Sequence, residues 1–253
     1  MTIDEFMKIF TEQYKKKNIV VFTGAGMSTA SGIKDFRGAN GLYKENINAE
    51  LILSRDYFEM YPKEFYDFYK NYLVINDDIK PNLAHEMIKK LEDDGYVNAV
   101  ITQNIDCLDI KAGCKNVIEI HGNASIFSCP KCHKAFSSDF ILKQKDEPRC
   151  PQCGEVIKPG IVLYQEPLDL YKQMQAMEYI KNATTLLVIG STLKVNPAAG
   201  MVHDFLVDTR FNKNKKLFII NKGPTDYDGF KDIIRYDGDV IDFARRLKTY
   251  HNK

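Results

Sequence analysis

Along this chain, short apolar runs alternate with longer stretches in which apolar residues recur every three or four positions. Ile19 to Phe22 is apolar and largely β-branched, too brief for a helix and suited to a strand buried on both faces of a parallel sheet. Val97 to Thr102, Val117 to Ile120, Thr185 to Gly190 and Leu217 to Asn221 read the same way. Helical periods lie between most of them. Met1 to Phe10 holds Asp4 and Glu5 within an apolar period and predicts an amphipathic helix. Asn46 to Tyr72, containing E-F-Y-D-F-Y-K, predicts helices packing an aromatic face into a core. Pro81-Asn82-Leu83-Ala84-His85 opens a further helix with proline near its first turn, and Met87, Ile88 and Leu91 keep the period up to Gly95; His85 reads as structural. Strand and helix in alternation predict an α/β fold, a doubly wound parallel, Rossmann-like sheet with ligands at the carboxyl ends of its strands. There is no internal repeat or low-complexity linker.

Composition narrows the class. At 253 residues and 44% hydrophobic content the chain can bury the core of one large domain with a small appended one. A net charge of +1 gives no footprint for nucleic acid, and Lys15 to Lys17 is too short to address an anionic membrane. Acidic residues in the first helix exclude a secretory signal, and no apolar run approaches membrane-spanning length. The expectation is a cytoplasmic protein without nucleic-acid or membrane partners.

Cysteine spacing adds a metal. Cys129, Cys132, Cys150 and Cys153 form C-x2-C-x17-C-x2-C, a pattern for one tetrahedral Zn2+ held by four thiolates. Four protein ligands leave no open position for a catalytic water, so the ion is structural. His133 is a competing ligand by position, and Cys107 and Cys114 are left over.

The stretch around which the rest is organised follows the first strand. Gly24, Ala25 and Gly26, with Ser28, Thr29 and Ser31 behind them, have the makings of a phosphate cradle in which main-chain N–H groups are open to a ligand. Taken alone, G-A-G is equally a structural turn. The continuation S-G-I-K-D-F-R-G, carrying Asp35, Phe36 and Arg37, has no generic use in a nucleotide turn. It resembles the first signature of the sirtuins, NAD-dependent protein lysine deacylases, whose usual form is G-A-G-x-S-x-x-S-G-I-P-D-F-R-G. Lys34 stands where proline is usual, which implies a looser loop over the nicotinamide half of the cofactor.

Further motifs occur in family order. Thr102-Gln103-Asn104-Ile105-Asp106 resembles T-Q-N-I-D-x-L-H; without the first motif it reads as a polar turn capping the next helix. By the resemblance Gln103 binds the nicotinamide ribose, Asn104 and Asp106 orient the nicotinamide amide and ribose in catalysis, and Ile105 meets the ring. Cys107 and Asp109 depart from the pattern, Asp109 standing for histidine, a change assigned to local packing rather than catalysis. His121-Gly122 after the third strand matches the family H-G, whose histidine is the general base and contacts the cofactor; imidazole titrates near neutral pH and suits that task. Lys158 to Glu166 resembles R-P-x-V-V-x-F-G-E, which implies substrate contacts from Val162, Tyr164, Gln165 and Glu166 by strand addition. Gln165 replaces glycine there, and Tyr164 adds a hydroxyl to an apolar acyl tunnel. Gly190, Ser191 and Thr192 would meet phosphate and ribose, Val195 and Asn196 would form the other cleft wall, and Asn221, Lys222, Asp239 and Val240 would hold the adenosine end.

The expected organisation is a Rossmann-like domain in three pieces, residues 1–44, 81–125 and 158–253, interrupted by a helical module at 45–80 and a zinc ribbon at 126–157. The resemblance implies attack of an acyl-lysine oxygen on the NAD ribose, with nicotinamide, O-acyl-ADP-ribose and free lysine as products. Acylated lysines in proteins or peptides are the expected substrates, and the quaternary state is left open, with a monomer the simplest case. Two rivals are an NAD-dependent protein mono-ADP-ribosyltransferase, against which His121 argues, and a non-catalytic NAD-sensing module, which would follow if Gln165 blocked the cleft. Neutral acyl groups are expected over succinyl, because the desuccinylating branch carries a Y-x-x-R pair, whereas the most similar segment here reads Tyr69-Lys70-Asn71-Tyr72 and lacks the arginine.

Overall fold

The computed structural model describes residues 1–38, 41–46, 48–74 and 78–251. Ile47, within the predicted aromatic stretch, lies outside them. Strands β1 (Ile19–Thr23), β2 (Val97–Thr102), β3 (Val117–Glu119), β4 (Gly122–Ser128), β5 (Ala135–Phe136), β6 (Lys158–Ile161), β7 (Thr185–Ile189), β8 (Lys216–Ile220) and β9 (Ile233–Tyr236) alternate with helices. These are α1 (Ile3–Tyr14), α2 (Leu42–Glu45), α3 (Ala49–Ile52), α4 (Arg55–Met60), α5 (Pro62–Tyr72), α6 (Leu83–Asp93), α7 (Leu108–Lys111), α8 (Ser138–Lys143), α9 (Leu170–Asn182), α10 (Ala198–Phe211) and α11 (Val240–His251). Among the described residues the main sheet has the order β3-β2-β1-β7-β8-β9, parallel throughout.

Alternation of side chains along the central strands builds two cores. Val21, Leu187 and Phe218 point to one face, where Phe6 and Phe10 of α1, Leu91 of α6 and Phe243 of α11 cover them. Val20, Phe22, Leu186 and Ile219 point to the other, against Ile180 of α9 and Phe205 of α10. Strands buried on both faces must be apolar throughout, which is why these runs were legible. Strand β9 was not expected: it is a half-buried edge strand carrying Arg235, so it lacks the continuous apolar signal. The helix expected to carry proline in its first turn begins instead after Asn82, whose side chain accepts from the Ala84 N–H, and Pro81 lies before this cap. His85 is buried, and its Nδ1 accepts from the Asn82 N–H, a structural use as read.

The third core joins the aromatic helices to the cysteine ribbon. Phe65, Tyr66 and Tyr69 of α5 pack with Phe127 of β4, Ile141 of α8 and Ile157. Tyr66 donates to the Ile157 carbonyl, and Tyr69 to the Ala124 carbonyl at 2.9 Å. A second sheet, β5-β4-β6, is antiparallel and carries the ribbon. Among the described residues no helix is long and apolar enough to cross a membrane.

Candidate functional site

Parallel strands end together, so the residues immediately after them converge on one edge. The last register pair of β1 and β2 is Thr23 with Thr102, that of β2 and β3 is Thr102 with Glu119, and that of β1 and β7 is Thr23 with Ile189. The glycine turn, the amide loop, His121 and the second hydroxyl loop therefore surround one cavity of about 270 Å³, walled on its other side by the segment after β6.

Gly24, Ala25 and Gly26 line that cavity beside Gly190, Ser191 and Thr192. The two loops touch. A Cβ on Gly24 would sit 2.7 Å from the Gly190 oxygen, one on Gly26 2.7 Å from the Gly190 Cα, and one on Gly190 2.3 Å from the Met27 nitrogen. The N–H groups of Gly24 and Gly26 donate to the Ile189 and Gly190 carbonyls, each at 2.9 Å. This corrects the expectation that these N–H groups are open to a phosphate: the glycines allow loop-to-loop contact, and two short 3-10 turns follow, Ala25–Met27 and Thr29–Ser31.

Asn104 is buried, its N–H donating to Thr102 Oγ1 at 3.1 Å and its Nδ2 to the Gly24 carbonyl at 3.1 Å. Gln103 Nε2 reaches Ser191 Oγ at 2.8 Å. Both amides line the cavity, as does Ile105. Asp106 does not. Its Oδ2 accepts from Ser28 Oγ at 2.6 Å and its Oδ1 from the Leu108 N–H at 2.9 Å, so Asp106 and Ser28 form a buried pair behind the wall, and burial raises the Asp106 pKa. Thr29 faces outward and donates to the Gly26 carbonyl.

His121 Nδ1 lies 2.9 Å from the Gln103 carbonyl oxygen, which can only accept. The ring proton is thereby assigned to Nδ1, and Nε2 keeps its lone pair. Burial lowers the His121 pKa, with the bond to Gln103 opposing, so the imidazole is neutral in the neutral range. Asp35, Phe36 and Arg37 line the cavity from the opposite side; Asp35 Oδ1 accepts from the Gly38 N–H, and Arg37 pairs with Glu50 at 2.8 Å.

Val162, Tyr164, Gln165 and Glu166 line the same cavity as Val195 and Asn196. Gln165 has φ 74, a left-handed backbone that explains why glycine is usual at this position. Its amide is held on both atoms by Asp56, with Nε2 to Oδ2 at 3.0 Å and Oε1 from the Asp56 N–H at 3.1 Å. Glu166 Oε2 accepts from the Leu163 N–H and pairs with Lys158. The Tyr69-to-Tyr72 segment does not reach the cavity: Tyr69 is used in the core, Lys70 binds the Gln144 and Asp146 carbonyls, and Tyr72 is exposed. Asn221 and Lys222 line the cavity after β8. Asp239 and Val240 lie outside it, where Asp239 caps the start of α11 through the Ile241 N–H at 2.7 Å.

At the ribbon, the sulfurs of Cys129, Cys132, Cys150 and Cys153 all lie within 4.8 Å of one another. A tetrahedral Zn2+ with Zn–S bonds of about 2.3 Å requires sulfurs about 3.8 Å apart, so the donor set fits that ion. His133 is exposed and outside the cluster. Sequence reasoning missed Tyr43 and Leu53, which also line this cavity; Tyr43 lies on the short α2 and Leu53 caps the end of α3, neither in a motif.

A model of the Sir2 family matches residues 24–197. The NAD-dependent protein deacetylase of Clostridium perfringens is 43% identical over 235 residues, covering 89% of this chain and 93% of that protein. Among solved structures, Sir2 with a p53 peptide and NAD+ superposes with a TM-score of 0.86 at 38% identity, covering 97% of this chain and 98% of the other. Sir2Tm bound to a propionylated peptide gives 0.85 at 38% identity over the same shares.

Proposed function

Because the chain belongs to the Sir2 family, we propose that it removes acyl groups, acetyl first, from lysines of proteins or peptides, consuming NAD and releasing nicotinamide, O-acetyl-ADP-ribose and free lysine. The observation that carries this is the geometry at His121: a half-buried imidazole lining the cavity, with Nδ1 2.9 Å from the Gln103 carbonyl, which leaves the lone pair on Nε2.

NAD supplies an electrophilic ribose carbon with nicotinamide as a leaving group. The residues that fit it are the interlocked loops at Gly24 and Gly190, the amides of Gln103 and Asn104, and Asn221 with Lys222 toward the adenosine end. Asn104 is oriented by bonds from its own Nδ2 and N–H, which leave its Oδ1 for the nicotinamide half. Asp106 acts from behind the wall by fixing Ser28 and the start of α7. His121 takes a proton from a ribose hydroxyl at Nε2. The peptide lies between Val162–Glu166 and Val195–Asn196 by strand addition. Four thiolates hold Zn2+ as a structural tie in the ribbon.

The non-catalytic alternative needed Gln165 to close the cleft, whereas Asp56 holds its amide on both atoms. The test is nicotinamide release with NAD alone and with NAD plus acetyl-lysine peptide. Release that requires the peptide is expected; equal release in both would overturn the deacylase reading in favour of an NAD hydrolase or transferase.

A further inference from the structure

Asn82 uses both ends of its side-chain amide. Its Oδ1 accepts from the Ala84 N–H at 2.9 Å and caps α6, while its Nδ2 donates to the Met27 carbonyl at 2.9 Å and to Ser31 Oγ at 3.0 Å. These partners fix which way round the amide stands. An N–H can only donate and a carbonyl can only accept, so exchanging oxygen and nitrogen would set donor against donor at Ala84 and acceptor against acceptor at Met27. The Asn82 N–H is held as well, by His85 Nδ1 at 3.3 Å.

Met27 and Ser31 are the last residues of the two 3-10 turns that follow the first glycines, and Met27 is fully buried. Between them, Ser28 bonds Asp106 and Asn104 of the amide loop. The turn segment is therefore gripped by two elements, the amide loop after β2 and the start of α6. Asn82 does not line the cavity, but what flanks its grip does: Gly24, Ala25 and Gly26 precede it, and Asp35, Phe36 and Arg37 follow it.

We propose that Asn82 is a positioning residue for NAD: its Nδ2 ties both turns to α6, so that the glycines and the Asp35-to-Arg37 segment stand in place before the cofactor arrives. The inference rests on the reading of this cavity as an NAD site. The physical reason is that the segment has little stiffness of its own. Each turn is a single short 3-10 piece, a conformation with poorer hydrogen-bond geometry than an α-helix. Gly32, at φ 90, and Lys34, standing for the usual proline, come directly after it. Helix α6 is a firm frame by contrast, because Ala84, Met87, Ile88 and Leu91 are packed into the first core. A loop that must be ordered at the moment of binding costs affinity, and a tie made beforehand removes that cost.

The test compares the intact wild type with Asn82→Asp and Asn82→Ser. Aspartate and serine rank with asparagine as helix caps, so α6 keeps its cap in both variants, whereas the pair of amide hydrogens is lost. Hydrogen exchange of the protein without NAD, read by mass spectrometry, should show segment 25–37 exchanging about three- to tenfold faster in both variants, with α6 within about twofold of wild type. A capping role alone would move α6 instead. Calorimetric Kd and kinetic KM for NAD should rise about three- to tenfold, with kcat at saturating NAD within about twofold. Ser31→Ala removes one acceptor without touching the cap; it should weaken NAD binding less, and in the Asn82→Ser background it should add nothing. Unchanged exchange in segment 25–37, faster exchange confined to α6, or a Ser31→Ala effect equal in both backgrounds overturns the proposal. Calorimetry separates the two readings: a wild type that binds no NAD overturns the function, whereas a wild type that binds NAD no more tightly than the Asn82 variants overturns the role of Asn82.

Discussion

The hydroxyls of Tyr43 and Tyr164 meet at 2.8 Å, and Arg37 Nη2 donates to Tyr164 Oη at 3.0 Å. The family motif has phenylalanine where Tyr164 stands, so the added hydroxyl joins the segment bearing Asp35, Phe36, Arg37 and Tyr43 to the cleft wall after β6. Lys34 gives up the stiffness that proline would supply to that segment, and Tyr164 returns a tether.

Tyr164→Phe removes one neutral hydrogen bond and one to a guanidinium, together about 1–3 kcal/mol if fully expressed and less where water replaces them. The expected outcome is a rise of about three- to tenfold in KM for NAD, with the melting temperature nearly unchanged. Initial rates over NAD concentration check this, and an unchanged KM would show that the tether does not order the loop.

His121→Ala should lower deacylation by about 100- to 10,000-fold while NAD binding survives, because a general base contributes to the chemical step rather than to ground-state affinity. Single-turnover rates together with calorimetric NAD binding decide it. Near-normal turnover would remove His121 from the role of base.

The pH dependence of the same residue has a defined sign. Only neutral imidazole accepts the ribose proton, and burial lowers the His121 pKa below the ordinary histidine value, so activity should rise with pH with a midpoint below that ordinary value. The unfolded chain binds more protons than the folded one between the two values, so His121 also makes stability increase with pH in that window. A kinetic acid limb centred above the ordinary histidine value would contradict the burial argument.

Chelation should remove one Zn2+ per chain and unfold the ribbon. Zinc binding contributes about 10–16 kcal/mol in small finger-like peptides, more than the ribbon's short strands supply without it. Loss of activity should track loss of structure by circular dichroism, since Phe127 and Ile141 of this region share a core with α5. A zinc-free chain with a native melting profile and full turnover would contradict the structural role.

Acetyl-lysine should be preferred over succinyl-lysine. A buried succinyl carboxylate needs a cation and hydrogen-bond donors. Arg37 lines the cavity but is engaged by Glu50 and Tyr164, and Lys70 is turned onto the Gln144 carbonyl. Matched peptides compared by kcat/KM test this, and a succinyl preference of about tenfold or more would overturn it.

Much of the site could be read from the chain because its signals are local. A strand buried on both faces must be apolar throughout, a parallel sheet brings the next residues of each strand to one edge, and four cysteines in two close pairs suit one tetrahedral ion. Gly24, Asn104, His121, Ser191 and the four cysteines follow from those rules. The partners of buried polar groups do not. Whether Asp106 meets a ligand or Ser28, whether Gln165 fills the cleft or grips Asp56, and whether Asp109 merely packs or sits beneath Thr23 and Thr102 depend on how segments 78 to 109 positions apart in sequence come together. Desolvation penalises any buried donor or acceptor left without a partner, and only the assembled tertiary structure decides which partner is near enough to satisfy it.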